Sequence, residues 1–275
     1  MHLRTRRIFA LPFFVFLAAV ALSTPMAADE TAKGDAEKKL ARLNHQLLAL
    51  ANAERAKLKL PPLKLHPQLT DAARWMAQDM ADHDYFDHTD RKGRSIDPRL
   101  PDFGYQNYET LSENIAAGYP TPDKVVEDWM RSPGHRENLL DPNVREAGVG
   151  YAINTDSKFK HYWVLDFGSR FDACPVVIND ESGETHTPGV KLTLYGEGWA
   201  TRMRFSNDGQ TWTAWEPFKA QREWTLTSGA GRHTVYVELS NGQNTRRSDD
   251  TVELAPDSMP VSAPITDRKG LKATP

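Results

Sequence analysis

The chain is poor in cysteine, and Cys174 is the only one among its 275 residues. An intrachain disulfide is therefore excluded, and burial of apolar residues has to hold the fold together. Excess positive charge is also missing, since the formal net charge is −3 and the sequence pI is ≈ 6.3. Such a composition gives no electrostatic support to a nucleic-acid partner, so none is expected.

Long apolar runs are absent beyond the N-terminus, so we expect no transmembrane segment in the mature chain. The N-terminus has the layout of a secretory signal peptide, with arginines before an uncharged apolar run over residues 8–22. We predict a signal peptide at residues 1–28, cleaved between Ser23 and Ala28, with a retained N-terminal anchor as the alternative. The mature protein is then secreted or periplasmic. The polar, charged residues 29–39 are predicted to be a disordered leader.

The next part of the chain has the periodicity of helices and then of strands. Apolar residues recur at three- and four-residue spacing, and two such stripes begin at Pro67 and Pro122, where proline suits a first helical turn. Two predicted strands follow, over residues 147–153 and 161–168. Helices followed by strands predict an α+β domain over residues 40–170 rather than a repeated parallel βαβ unit.

The composition changes after Cys174. Residues 171–189 are predicted to be a linker. Short alternating segments with hairpin signals predict an all-β sandwich over residues 190–255, and residues 256–275 are predicted to be a disordered tail. Tryptophans in this part are expected mostly in the core, although an exposed row would suit glycan stacking. They are Trp199, Trp212, Trp215 and Trp224.

Three polar residues on separate segments form the candidate site: His88, Glu113 and His135. Neutral imidazoles are good ligands for zinc-like divalent ions, and a carboxylate can orient them or activate a metal-bound water. The spacings of 25 and 22 residues are too long for a metal motif on one helix. The residues alone therefore leave open that the three are unrelated caps, turn formers or satisfied core groups.

Five short segments, three of which contain these residues, follow one another along the chain. They are His88-Thr89-Asp90, Glu113-Asn114-Ile115-Ala116, the run from Trp129 through Ser132-Pro133-Gly134-His135-Arg136-Glu137-Asn138-Leu139-Leu140, Gly148-Val149-Gly150, and Trp163-Val164-Leu165-Asp166-Phe167-Gly168. In this order they resemble the CAP superfamily of cysteine-rich secretory proteins, antigen five and plant pathogenesis-related proteins, and in particular its bacterial branch. The later part of the chain resembles an immunoglobulin-like or fibronectin-type-III-like module.

The resemblance to the CAP superfamily implies an α-β-α sandwich with a central antiparallel sheet, followed here by the all-β sandwich. It also implies a surface cavity lined by two histidines and two acidic residues, three of which match His88, Glu113 and His135. Ser132 stands where the second acidic residue is expected, so any metal site should be more open and weaker. We take these four as the ligand-binding cavity. His88 and His135 are then ligands of zinc or another divalent metal, with Glu113 as a further ligand or as the group that orients them.

Two functions stay open at this stage. One is a non-enzymatic exported binding module, whose cavity holds a divalent metal or a small or lipidic ligand and whose β-sandwich contacts a cell-surface or matrix partner. The other is a metal-assisted hydrolase of peptide or cell-wall material, with Glu113 as general base. The missing second carboxylate favours the binding module, so no residue is assigned a catalytic role.

Overall fold

The computed structural model describes residues 25–256. Its helices are α1 Pro25–Lys57, α2 Pro67–His83, α3 Ile96–Arg99, α4 Pro122–Arg131 and α5 Pro133–Leu139, with 3₁₀ turns at Leu100–Phe103 and Asn179–Glu181. Its strands are β1 Lys64–Leu65, β2 Tyr108–Ala117, β3 Glu146–Ile153, β4 His161–Arg170, β5 Val176–Ile178, β6 Glu184–Thr185, β7 Gly189–Leu194, β8 Arg202–Ser206, β9 Glu216–Pro217, β10 Gln221–Thr225, β11 Gly231–Ser240 and β12 Thr245–Leu254. None of the helices in this range combines the length and apolar character needed to cross a membrane.

The predicted leader is not disordered in the structure. Residues 29–39 lie within α1, because alanine, glutamate and lysine dominate them and are strong helix formers. A helix that is already held by packing at its C-terminal end extends into such a segment at little cost. The predicted signal peptide lies almost entirely in residues 1–24, and the predicted tail in residues 257–275, both outside the described residues.

The first sheet lies between two layers of helices, as the α+β prediction requires. The strand order is β1-β3-β4-β2, with β1 parallel to β3 and the other pairs antiparallel. One face packs on α2 through residues such as Met76 and Val164. The other packs on α1, α4 and α5, with Trp129 and Trp163 fully buried between the layers. This α-β-α arrangement belongs to the compact unit that begins at Leu40.

Two glycines on β3 let α2 lie directly on the sheet. A Cβ added at Gly148 would lie 2.0 Å from the carbonyl carbon of Leu69, and one at Gly150 would lie 2.1 Å from the carbonyl oxygen of Ala73. No side chain fits such a gap, so these positions need glycine for the close approach of the helix. The contact fixes α2 on the sheet, and the loop that carries His88 follows the end of this helix.

The second part of the chain is a β-sandwich, and it begins earlier than predicted. A three-stranded sheet, β10-β7-β5, faces a five-stranded sheet, β6-β12-β11-β8-β9, across a shared apolar core. The predicted linker over residues 171–189 contains β5 and β6, so its assignment was wrong. Strands of three and two residues carry too little alternation to be recognised, and their partners β7 and β12 lie further along the sequence.

The tryptophans of the sandwich divide into two pairs. Trp199 and Trp224 are partly buried and pack against the core. Trp212 and Trp215 instead stack with the guanidinium of Arg204, whose Cζ lies 4.9 and 4.7 Å from the two rings. The expectation that most of them fill the core is therefore right for half of the set.

Buried polar contacts join the α-β-α domain to the sandwich. Lys64 on β1 pairs with Glu181 at 3.1 Å and with Asp250 on β12. Glu181 also accepts a hydrogen bond from the backbone N–H of Leu65 at 3.0 Å, and the side chain of Asn52 donates to the carbonyl oxygen of Asp180 at 3.0 Å. We call Lys64, Glu181 and Asp250 the clamp cluster.

Candidate functional site

Three of the four predicted site residues come from three different elements. His88 lies in the loop after α2, Glu113 on β2 and His135 in α5. The strand β2 was not predicted, because Ser112, Glu113 and Asn114 interrupt the apolar alternation that marks a strand. The structure satisfies Glu113 and Asn114 with side chains from neighbouring elements, so β2 lies inside the protein despite them.

Both carboxylate oxygens of Glu113 are occupied by protein groups. One accepts a hydrogen bond from His88 Nδ1 at 2.8 Å, and the other pairs with the guanidinium of Arg99. Arg99 is fully buried and also donates from Nη1 to the carbonyl oxygen of His88 at 3.0 Å. Arg99 therefore holds both the carboxylate of Glu113 and the loop of His88. The His88 ring is fixed through Nδ1, which leaves Nε2 available to bind a ligand.

Asp166 is an acidic residue of this site that the sequence analysis missed. It lies on β4 directly opposite Glu113 in the strand register and is fully buried. Burial, followed by the negative charge of Glu113, raises the pKa of Asp166 well above its usual range. The signal was present in the sequence, since a lone aspartate interrupts the apolar run from Trp163 to Phe167. We call Glu113, Asp166 and Arg99 the site cluster.

His135 is tied to the same strand through its backbone. Asn114 on β2 donates from Nδ2 to the carbonyl oxygen of His135 at 2.9 Å. Asn138 on α5 donates to Asn114 Oδ1 at 3.0 Å and to the Glu113 carbonyl oxygen at 3.3 Å. These bonds hold α5 against β2, so the structure brings His135 to the strand that carries Glu113.

The two histidines differ in their protonation. The hydrogen bond that His88 donates to Glu113 outweighs partial burial and raises the pKa of His88. Burial, and then the positive charge of His88, lowers the pKa of His135. Nδ1 of His135 is buried without a hydrogen-bond partner among the described residues. His135 therefore favours the neutral imidazole, while His88 keeps its proton to higher pH than an ordinary histidine does.

Ser132 does not join this group through its side chain in the structure. It lies at the junction of α4 and α5, where its backbone N–H donates to the carbonyl oxygens of Asp128 and Trp129 at 3.2 Å. Its carbonyl oxygen accepts from Arg136 at 2.9 Å, and its hydroxyl makes no helix-capping hydrogen bond. The side chain that lies beside Glu113 is Asp166, on a different strand.

The donor set fits a metal ion only as an open site. No group of three or more histidine, cysteine, aspartate or glutamate side chains within residues 25–256 is arranged to hold one. Glu113 is committed to His88 and Arg99, which leaves imidazole nitrogens of His88 and His135 as the available protein donors. A carboxylate that orients a histidine from its second nitrogen is the usual support of a metal-binding imidazole. Two histidines with Glu113 behind His88 are thus the most that these residues offer a metal ion.

Comparison with known proteins gives one family match. Residues 48–167 match the profile of CAP, the cysteine-rich secretory protein family. YkwD of Bacillus subtilis, an uncharacterized protein, is 40% identical over 132 residues, which is 48% of this chain and 51% of that protein. YlbC of the same organism, an uncharacterized membrane protein, is 34% identical over 105 residues, 38% of this chain and 30% of that protein. The chain thus spans about half of one relative and about a third of the other.

Solved structures give weaker similarity. An outer surface protein of Borrelia burgdorferi is 26% identical, covers 44% of this chain and 86% of its own, and has a TM-score of 0.40. An extracellular protein containing an SCP domain from Bacillus anthracis is 28% identical, covers 46% of this chain and 40% of its own, and has a TM-score of 0.41.

Proposed function

We propose that the chain is an exported, non-enzymatic binding protein built on a bacterial-type CAP domain, which the family match over residues 48–167 and the similarity to YkwD support. Its ligand site is the group of His88 and His135 supported by the site cluster. Export is supported by the order of charged and apolar residues at the N-terminus. The β-sandwich then serves to contact a cell-surface or matrix partner.

The occupied carboxylate of Glu113 is the observation that carries this proposal. A general base needs a carboxylate oxygen that reaches a water or substrate proton. Glu113 has 3% of its side chain exposed, and its oxygens face His88 and the buried Arg99. Asp166 is fully buried and cannot replace it. The cluster therefore positions an imidazole at the surface and does not supply a base.

A divalent metal of the zinc class is the ligand that these imidazoles suit best. His88 and His135 would hold it, and Glu113 would orient His88. When bound, such an ion acts as a Lewis acid and accepts a carboxylate or phosphate oxygen of a further ligand. With only two protein donors we expect modest affinity that depends on such an additional ligand. Protons compete with the metal for His88. Because the pKa of His88 is raised above 6.5, the ordinary value for histidine, metal affinity should begin to decline at a pH above 6.5 as the pH falls.

Calorimetric titration with zinc tests this proposal. Untagged wild-type protein should bind one equivalent, and His88→Ala and His135→Ala should each weaken binding about tenfold or more, ~1.4 kcal/mol. His83→Ala removes an exposed histidine on α2 and serves as the matched control, with no expected effect. Absence of binding in the wild type, or equal binding in all four proteins, would exclude the metal site.

Hydrolysis is the second candidate, and the paired carboxyls of Glu113 and Asp166 are what favours it. A pair of neighbouring carboxyl groups, one of which has a raised pKa as Asp166 does, is a common arrangement in acid–base catalysis. Wild-type protein should then cleave peptide or peptidoglycan substrates, and Glu113→Gln should abolish cleavage with an unchanged circular dichroism spectrum. A metal-bound wild type that cleaves neither substrate leaves the binding function.

A further inference from the structure

A cavity of about 680 Å³ lies between the CAP domain and the β-sandwich. One wall comes from the CAP domain, through Lys59, Leu60, Arg145 and neighbouring residues, and the opposite wall comes from the sandwich. Small-molecule sites of proteins typically enclose roughly 300–1,000 Å³ and often lie at domain boundaries. His88 and His135 do not line this cavity, so it is distinct from the proposed metal site.

Polar contacts fix the two walls relative to each other. The hydroxyl of Tyr195 on the sandwich donates to the carbonyl oxygen of Pro62 at 2.9 Å. The side chain of Asn52 donates to the carbonyl oxygens of Leu63 and Asp180 at 3.1 and 3.0 Å. These two residues immediately precede Lys64 and Glu181 of the clamp cluster. A cavity whose walls are tied in this way is preformed, and a ligand does not have to bring the domains together.

Arg246 is the charged group best placed for a ligand. Its guanidinium lies 4.3 Å from the centre of the Trp199 ring, and Nη1 donates to the sulfur of Cys174 at 3.5 Å. No carboxylate within residues 25–256 forms an ion pair with it, although most other buried or half-buried cations of the chain have such a partner. Its other N–H groups stay available, and their planar fork suits a carboxylate.

The remaining lining selects the kind of anion. Trp199, Phe171 and Leu60 supply aromatic and aliphatic surface, and Phe171 keeps 57% of its area exposed. Glu109 and Glu197 also line the cavity and form no ion pair in the described part of the chain. They offset the charges of Lys59 and Arg145, which also line the cavity without an ion pair among the described residues, so Arg246 leaves a single positive charge unbalanced. That charge suits an acid with one carboxylate, which can bind Arg246 and place its apolar body on the aromatic rings.

We propose that this interdomain cavity binds a small organic acid with one carboxylate and an aromatic or branched aliphatic body. The carboxylate binds the guanidinium of Arg246, and the apolar body contacts Trp199 and Phe171. The site requires both domains, since its cationic group belongs to the sandwich and part of its apolar surface to the CAP domain.

Calorimetry on the full chain tests the proposal with N-acetyl-L-phenylalanine as the probe. The probe should bind, and its neutral amide, N-acetyl-L-phenylalaninamide, should bind at least about tenfold more weakly. Arg246→Gln should cause a loss of the same size. Arg247→Gln is the matched control, because Arg247 is the adjacent residue of β12 and stacks on Trp212 and Tyr236 outside the cavity, and it should bind as the wild type does.

Cys174 gives a second measurement that needs no variant. It is the single cysteine of the chain, it keeps 6% of its surface exposed, and it lines the cavity, so the slow alkylation of the folded chain by iodoacetamide reports on this site. The acid should slow alkylation of the wild type, and the amide should not. The proposal is overturned if the acid does not bind, if acid and amide bind and protect equally, or if folded Arg246→Gln binds as well as Arg247→Gln. His88→Ala should leave all of these results unchanged, so failure here is distinct from failure of the zinc site.

Discussion

Two regions of this molecule bury the same set of charges. Each has two carboxyl groups, one strong cation and a histidine at its edge. In the α-β-α domain these are Glu113, Asp166, Arg99 and His88, and at the domain boundary they are Glu181, Asp250, Lys64 and His45. In each cluster burial raises the pKa of one acid, Asp166 in the first and Glu181 in the second.

The histidines separate the two regions. His88 lies 2.8 Å from Glu113 with 52% of its side chain exposed, whereas His45 Nδ1 lies 3.8 Å from Glu181 with 28% exposed. The hydrogen bond to Glu113 raises the pKa of His88, while burial lowers that of His45. Two acids around one cation therefore form a structural unit that occurs twice in this protein. The candidate site differs from the clamp cluster because its histidine is exposed and is oriented by a hydrogen bond to a carboxylate.

Removing the cation should have the largest effect, and it should be similar in both regions. Arg99→Met and Lys64→Met each leave a buried carboxylate without its counter-charge, beside a second carboxyl group whose pKa is already raised. Breaking a buried ion pair in this way typically costs about 3–5 kcal/mol, and the free energy of unfolding from urea titration should fall by that amount. Lys57→Met, which breaks an exposed pair with Glu54, is the control and should change little.

A loss well below about 1 kcal/mol in only one of the two cation variants would break the comparison. It would mean that the acids of that cluster are protonated and do not need the cation, so that the two regions share composition but not electrostatics.

The sequence predicted the layers of the α-β-α domain better than its polar interior. Pro67 and Pro122 begin α2 and α4 as expected, because a proline start and an apolar stripe are local signals. Asp166 was missed because its role depends on which strand lies beside it, and register is not visible in one sequence. Arg99 was missed for a similar reason, since it lies in a short helix within a segment whose composition is typical of a loop.

The three candidate residues Glu113, His88 and His135 were found, but only the resemblance to CAP proteins linked them. Their contacts run through Asn114 and Arg99, whose partners are backbone carbonyls and a carboxylate on other elements. Such contacts are set by tertiary packing and leave no periodic trace in the sequence. The fourth position, Ser132, was expected from that resemblance alone, and the acid that lies beside Glu113 comes from β4.

The second effect in size is a change in pH dependence. Burial and Asp250 raise the pKa of Glu181 from 4.5 to about 8, so the folded chain keeps a proton that the unfolded chain releases within this range. Stability should therefore fall as the pH rises from about 5 to about 8. Glu181→Gln should remove this part of the slope, on the order of 1–3 kcal/mol, in urea titrations repeated across that pH range.

Asp166→Asn is the counterpart in the site cluster and should also flatten the slope, because the pKa of Asp166 is raised for the same reason. Parallel pH profiles of the wild type and Glu181→Gln would contradict the assignment of the buried proton to Glu181.

A smaller effect should distinguish the histidines directly. Glu113→Gln keeps an oxygen for His88 Nδ1 but removes the negative charge, so the pKa of His88 should fall. Glu181→Gln should change the pKa of His45 little, because burial is the main cause of its lowered value. NMR titration of the imidazole protons measures both. Equal shifts in the two variants would mean that His88 is not specifically oriented by Glu113.

The smallest effects are expected from the histidines themselves, with opposite signs. The raised pKa of His88 means that its pairing stabilises the fold below about pH 6.5 and that this contribution is lost as the pH rises through the raised value. His88→Ala should thus destabilise the protein by less than about 1 kcal/mol in acid and not at all at alkaline pH.

The lowered pKa of His45 has the reverse consequence, since the folded chain resists protonation of a group that the unfolded chain protonates. His45→Ala should therefore make the protein slightly more stable than the wild type in acid, and urea midpoints of the two variants at acid and alkaline pH should diverge in opposite directions. If both variants lose stability in acid, protonated His45 stabilises the clamp cluster as protonated His88 stabilises the site cluster, and only the exposure of the histidine distinguishes the two regions.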